Sequence, residues 1–240
     1  MNLQDTSLFL FDIEGTTTPI SFVHKVLFPY SSERFTTFLE SNLLGEQTYL
    51  ELEQEIQQDI QKKVYSGSPF QGRQNVETIN QYLTFLVSID RKSKPLKQIQ
   101  GQIWQQGYES GSLTSELFTD VLPFFKKISQ QKKHIAIYSS GSVAAQKLVF
   151  QYSAVGDLST YISDYFDTSI GHKREQSSYQ NISKAVATPV EKIVFFTDIK
   201  EEADAASACG ISPIILDRPG NFAQAKHEFP VLTSFESIIL

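Results

Sequence analysis

LFLFDIEGTTTPI, Leu8 to Ile20, decides the fold. Four apolar residues run straight into Asp12, and then come Ile13, Glu14, Gly15 and three threonines. A short, wholly apolar run is the mark of a strand buried on both faces of a parallel sheet. Two acids one residue apart at its end, followed by a glycine turn, add nothing to stability and point to chemistry. Working outward, Ile135–Tyr138, Ile193–Phe196 and Pro213–Leu216 are short apolar runs of the same kind. Helical patterns fall over Val143–Tyr152, Glu175–Ala187 and Glu201–Ala208, with Gly210 placed as a C-cap. Strands alternating with helices imply an α/β fold, a Rossmann-like parallel sheet with right-handed crossovers.

The stretch from Ser21 to Leu117 reads differently. It offers no strand, and helical spacing recurs over Ser31–Leu43, Gln47–Val64, Val76–Ile89 and Leu96–Tyr108. In the second of these, Leu50, Ile56 and Ile60 are placed on the inner face. Ser66-Gly67-Ser68-Pro69 and Gly72 break the pattern. The expected organisation is a core of residues 1–20 plus 118–240 with a helical cap of residues 21–117 inserted after the first strand.

Net charge is -6, with 21 basic against 27 acidic residues. That balance argues against a nucleic-acid partner, which would require a basic face. The single cysteine, Cys209, excludes an internal disulfide and fits a reducing compartment. No apolar run has the length of a membrane span, and the residues before Asp12 carry no basic leader, so a cytoplasmic protein without membrane contact is expected.

Ligands of open parallel sheets bind beyond the carboxyl ends of the strands. Here those ends carry Asp12, then Ser139-Ser140-Gly141-Ser142, then Thr197-Asp198. Asp12 and Glu14 share a face if the chain stays extended. One carboxylate can attack phosphorus and a second can protonate the leaving oxygen. Mg²⁺ suits such a site, because it favours a few carboxylates together with phosphate oxygens and water. Asp198 supplies a further ligand, and Glu202, one helical turn on, is placed to orient it. Ser139 and Ser140 precede a helix whose free amides favour an anion, and Lys173 brings a compact positive charge. Singly, these residues are ordinary strand ends, helix caps or a solvated lysine. Their joint order at three strand ends and one helix start carries the functional reading.

The segments DIEGT, YSSGS, GHK and TDIKEE resemble the haloacid-dehalogenase-like hydrolase superfamily, with Glu14 where that pattern has a second aspartate. Together with DRKSKPLKQIQGQIW and DRPGN they resemble its enolase-phosphatase (acireductone synthase) family of methionine salvage, over nearly the whole chain. The resemblance implies an Mg²⁺-dependent enzyme, one ion per subunit. It would act as a monomer on the small phosphorylated diketone 2,3-diketo-5-methylthiopentyl-1-phosphate. It assigns Asp12 as nucleophile and Glu14 as acid/base, with Asp12, Glu14 and Asp198 at the metal. Ser139, Ser140 and Lys173 fall on the substrate phosphate. Arg73, Lys97, Trp104 and Tyr108 are weaker candidates for the substrate tail, and packing of the insert is the better account of the two aromatics. His24 and His172 are candidate bases, although packing or hinge hydrogen bonding accounts equally well for His24 and loop shaping for His172. Another small-molecule phosphatase of the superfamily, of phosphoglycolate or sugar-phosphate type, would share every core residue. A non-catalytic binding protein on the same scaffold would be expected to lack at least one acid, and none is lacking.

Overall fold

The computed structural model describes residues 1–240 apart from 42, 71, 73 and 74, so the candidate Arg73 lies outside the described residues. The chain divides into two compact units, Met1–Val23 with Leu113–Leu240, and His24–Ser112. Both boundaries fall a few residues inside the expected insert.

In chain order the elements are β1 (Leu8–Phe11), α1 (Ile20–Phe22), a π-helical turn (Val23–Leu27), α2 (Phe28–Ser32), α3 (Phe35–Glu40), α4 (Glu46–Gln61), α5 (Val76–Ser88) and α6 (Lys94–Glu109). There follow α7 (Val121–Gln130), β2 (His134–Tyr138), α8 (Val143–Gln151), β3 (Asp164–Phe166), α9 (Gln176–Ala185), β4 (Ile193–Thr197), α10 (Lys200–Cys209), β5 (Ser212–Leu216) and β6 (Val231–Leu232). All six strands are parallel, in the order β3-β2-β1-β4-β5-β6. The chain winds outward from β1 to β3, then returns to the other side of β1 with β4. That reversal makes the β1–β4 boundary the topological switch point, where a crevice opens at the carboxyl ends.

Strand alternation divides the sheet's side chains between two cores. Phe9, Phe11, Ile135, Ile137, Val194 and Phe196 face α7 and the C-terminal Phe235, while Leu8, Leu10, Ala136, Tyr138, Ile193 and Phe195 face α9 and α10. On the first side Phe11 stacks on Phe196 at 4.8 Å, and Phe124 and Phe235 stack at 4.8 Å and close edge-on to that pair. Aromatic pairs of this geometry add about 0.5–1.5 kcal/mol each beyond burial. The core therefore fixes β1 and β4 firmly just below the residues that follow them. Gly210 caps α10 in the left-handed region, φ 95°, as its position predicts.

Two strands, β3 and β6, and the helices α1, α7 and most of α2 lie beyond the sequence expectation. β3 and β6 are edge strands of three and two residues, and their side chains are half-buried or exposed. Burial on one side leaves no apolar run to read. α7 also escapes, although it buries Val121, Phe124, Phe125 and Ile128.

The helical unit has its own core, built from Phe35, Phe38, Leu52, Ile56, Ile79, Tyr82, Leu83, Leu86, Ile99 and Ile103 among others. In α4 the inner stripe is Tyr49, Leu52, Ile56 and Asp59, and Leu50 is 44% exposed, which corrects the register expected for this helix. The signal was masked because Asp59, a charged residue, occupies the inner face. It does so because Tyr82 Oη donates to it at 2.9 Å and Arg91 pairs with it at 3.2 Å. Trp104 donates Nε1–H to Leu27 O at 2.8 Å and stacks on Phe28, so it is engaged in this unit's own packing, and Tyr108 is buried.

Candidate active site

β1 ends at Phe11, but Asp12 N–H still donates to Phe196 O at 2.9 Å, so Asp12 stands locked beside β4. The chain then curls. Gly15 takes φ +69°, and the amides of Thr16, Thr17 and Thr18 converge on Ile13 O at 3.2, 2.9 and 2.9 Å. The extended chain on which a shared face for Asp12 and Glu14 depends stops here. Glu14 stands half-buried in the turn. Asp12 itself is buried, and its Oδ1 accepts from Ile13 N–H at 2.7 Å.

Lys173 reaches the same oxygen. Its side chain, from a residue only 4% exposed, sets Nζ 2.7 Å from Asp12 Oδ1 and 2.7 Å from Glu202 Oε2. Burial works to lower the ammonium's pKa, but Asp12 and Glu202 outweigh it and hold the group above the ordinary lysine range. The loop that carries Lys173 is unusually well fastened. The four consecutive carbonyls of residues 170–173 each accept from a side chain: Asn181 Nδ2 on Ile170 O (3.0 Å), Tyr138 Oη on Gly171 O (2.9 Å), Ser178 Oγ on His172 O (2.6 Å) and Tyr179 Oη on Lys173 O (2.7 Å). Three of these donors come from α9 and one from the end of β2, so sheet and helix together aim the lysine. His172 serves this loop through its carbonyl and through Nδ1, which accepts from Arg174 N–H at 3.4 Å.

Glu202, on α10, also accepts from Thr197 Oγ1 at 2.8 Å. Its partners are Lys173 and Thr197, so what it steadies is the lysine, where the sequence placed it to orient Asp198. Burial raises its pKa, Lys173 opposes that rise, and the Asp12 charge adds to it. Asp198 follows β4 and is 4% exposed. Burial, and then the nearby Asp12 charge, push its carboxyl up to about 8. Ser139 lies at the end of β2, one strand over from Asp12, and its Oγ accepts from Gly141 N–H at 3.2 Å. Helix α8 begins at Val143, and its cap is Ser142, which accepts from Ala145 N–H. Ser139 and Ser140 thus precede the capped turn.

Among the described residues no three His, Cys, Asp or Glu side chains form a ready metal cage. The acids nonetheless fit Mg²⁺. Asp12 and Asp198 are hard oxygen donors, both buried, and the Asp12 charge disfavours ionisation of Asp198. Mg²⁺ characteristically takes one or two carboxylates and completes its shell with water and phosphate oxygens.

Two residues outside the expected set brace the turn that follows Asp12. Arg218 is buried and lies between the rings of Phe118 (4.5 Å) and Phe235 (4.6 Å). It pairs through Nη1 with Asp120 Oδ2 at 2.8 Å and donates Nε–H to Thr16 O at 3.2 Å. Asn221 donates Nδ2–H to Gly15 O at 2.9 Å. Their signal in the sequence is DRPGN directly after a buried strand, an arginine and an asparagine around a Pro-Gly turn. Replacing Arg218 by Met strands Asp120 as a buried, uncompensated charge. The expected cost is about 3–5 kcal/mol, read as a lower urea midpoint at unchanged m-value.

The family model of the haloacid dehalogenase-like hydrolases matches residues 6–210. Enolase-phosphatase E1 of Leptospira borgpetersenii serovar Hardjo-bovis (strain JB197) is 52% identical over 233 residues, covering 97% of this chain and 98% of its own. Its namesake from Leptospira interrogans serogroup Icterohaemorrhagiae serovar copenhageni (strain Fiocruz L1-130) is 50% identical over 238 residues, with 99% of each covered. Among solved structures, the UTR4 protein of Saccharomyces cerevisiae superposes with a TM-score of 0.77 at 33% identity, covering 97% of this chain and 99% of that one. The chain belongs to the enolase-phosphatase E1 family of haloacid dehalogenase-like hydrolases.

Proposed function

We propose that the chain enolises 2,3-diketo-5-methylthiopentyl-1-phosphate and then removes its phosphate, giving 1,2-dihydroxy-3-keto-5-methylthiopentene in methionine salvage. The observation that carries this reading is the buried Asp12–Lys173–Glu202 chain at the switch point, in a protein half identical to enolase-phosphatases over nearly its full length.

Asp12 Oδ1 is held by two donors, Lys173 Nζ and Ile13 N–H, which fixes the carboxylate plane and leaves Oδ2 to attack phosphorus in line. The Oδ2–P bond forms as the bond from phosphorus to the substrate's C1 oxygen breaks. Glu14 gives that departing oxygen its proton. Glu14 then takes a proton from water, whose oxygen attacks phosphorus and releases Asp12 and inorganic phosphate. Ser139 and Ser140 donate to the phosphoryl oxygens, and Lys173 balances their charge. In the earlier half-reaction a proton leaves C1, the carbon that bears the phosphate, and the C2 oxygen becomes a hydroxyl. Asp12, Glu14 and Asp198 would hold Mg²⁺, which when bound would supply charge neutralisation at phosphate and polarisation of the diketone.

Glutamate at position 14 reaches one methylene further than aspartate, and we assign it both proton steps. Glu14→Gln is therefore expected to slow enolisation and phosphate release alike, each by about 10²–10⁴-fold. Enol absorbance and phosphate are followed separately. Enolisation at the native rate would place that step on a different base. For the substrate itself, incubation with the diketone phosphate and Mg²⁺ should yield phosphate together with an oxygen-sensitive product. Equal rates on simple phosphomonoesters would favour a general small-molecule phosphatase.

A further inference from the structure

The loop after β5 meets the catalytic turn at two consecutive carbonyls, through Arg218 on Thr16 O and Asn221 on Gly15 O. Asn221 does more than tie the turn down. The nitrogen that donates to Gly15 O also donates to Leu216 O, 3.0 Å away at the end of β5, so one amide staples the turn to a core strand. These two acceptors fix the amide's orientation, because the reverse rotamer would set its oxygen against two carbonyl oxygens. The oxygen, Oδ1, is consequently buried without a hydrogen-bond partner.

That oxygen lies against Gly15. A Cβ built on Gly15 would come within 2.9 Å of Asn221 Oδ1 and would overlap Asp198 Oδ2. Asn221 Oδ1 and the Asp198 carboxylate thus both crowd the face of Gly15 on which a side chain would stand, with the glycine in the left-handed region at φ +69°. The segment that carries Asp12 and Glu14 can neither retreat from Asp198, because Nδ2 holds it, nor carry a side chain at position 15.

We propose that Asn221 is a positioning residue for the cation site: it sets the separation between the Asp12–Glu14 turn and Asp198, and so the spacing of the ligands from two strand ends. This rests on the cation-site reading given above. Partners of this kind, one step removed from a metal, govern affinity by holding the ligands in place. Gln224 provides the contrast. It fastens the same loop elsewhere, accepting from Lys200 N–H at 3.0 Å and donating to Phe222 O at 2.9 Å, and it bonds no carbonyl of the catalytic turn.

The test is calorimetric titration of the full chain with Mg²⁺ alone, without substrate. Asn221→Ala is expected to weaken Mg²⁺ binding by about 10–100-fold, and Gln224→Ala to leave it within about twofold of the parent. In turnover, Asn221→Ala should raise the Mg²⁺ concentration for half-activation while kcat at saturating Mg²⁺ stays within about threefold. A merely structural strut would lower stability and leave the Mg²⁺ dependence unmoved. Should Asn221→Ala not fold, Asn221→Ser takes its place, and if neither folds the residue is a fold determinant and the proposal is overturned. Parent-like Mg²⁺ affinity in Asn221→Ala, alongside its loss in Asp198→Asn, overturns the role of Asn221 alone. Absence of Mg²⁺ binding in the parent overturns the cation-site reading with it.

Discussion

Asp12→Asn is expected to abolish phosphate release, by roughly 10⁴-fold or more, since an amide oxygen does not form the acyl-phosphate bond. The fold should hardly notice. Asn is isosteric with Asp, and its side-chain oxygen can still accept from Ile13 N–H and from Lys173 Nζ, the two donors now 2.7 Å from Oδ1. The charge lost belongs to one of three carboxyl groups packed into a small buried volume, and it disfavours ionisation of the other two, Asp198 and Glu202. Thermal stability within about 1 kcal/mol of the parent is therefore expected. Proton abstraction at C1 does not need the nucleophile, so enol phosphate should accumulate in this variant and be visible by absorbance. Phosphate release within tenfold of the parent rate would show that another group attacks phosphorus.

Lys173→Met should act on both activity and stability. The methionine fits the volume but leaves Asp12 and Glu202 without their shared cation. Removing one partner from a buried ionic cluster costs about 3–5 kcal/mol, to be read from chemical denaturation. Loss of a preorganised positive charge at the phosphate should lower kcat/KM by about 10²–10³-fold. The two effects separate in a double variant. Lys173→Met with Glu202→Gln removes the stranded carboxylate and should recover part of the lost stability while recovering none of the activity. Full recovery of activity would mean that the ammonium serves the fold alone. Lys173→Arg should not rescue, because a side chain already buried beneath Tyr138 has no room for a planar guanidinium.

Asp12 and Asp198 were legible because each follows a strongly patterned strand, and Lys173 because it precedes the helical pattern of α9. Leu8–Phe11 and Ile193–Thr197 are buried throughout, and a fully buried strand writes an unbroken apolar run. The polar residue that follows such a run marks the mouth of the sheet. Glu202 was found for the wrong partner: helical spacing put it near the site, but only the packed side chains show that it takes Lys173 and Thr197. Tyr49 replaced Leu50 on the inner face of α4 because a buried Asp59, satisfied by Tyr82 and Arg91, disguised the stripe. The edge strands β3 and β6 were unreadable because exposure on one side removes the apolar signal.

The sequence by itself determined a parallel α/β core with a helical insert, the acids at its strand ends and the lysine before one of its helices. Local periodicity and strand termini are properties of neighbouring residues, and neighbours are what a sequence displays. Only the tertiary structure decided how those residues are held: Lys173 between two carboxylates, four carbonyls of its loop fastened by side chains, and the catalytic turn braced by Arg218 and Asn221 from 202 and 206 positions away. Such contacts join distant segments through hydrogen bonds that leave no local pattern, so their partners exist only once the sheet has closed around them.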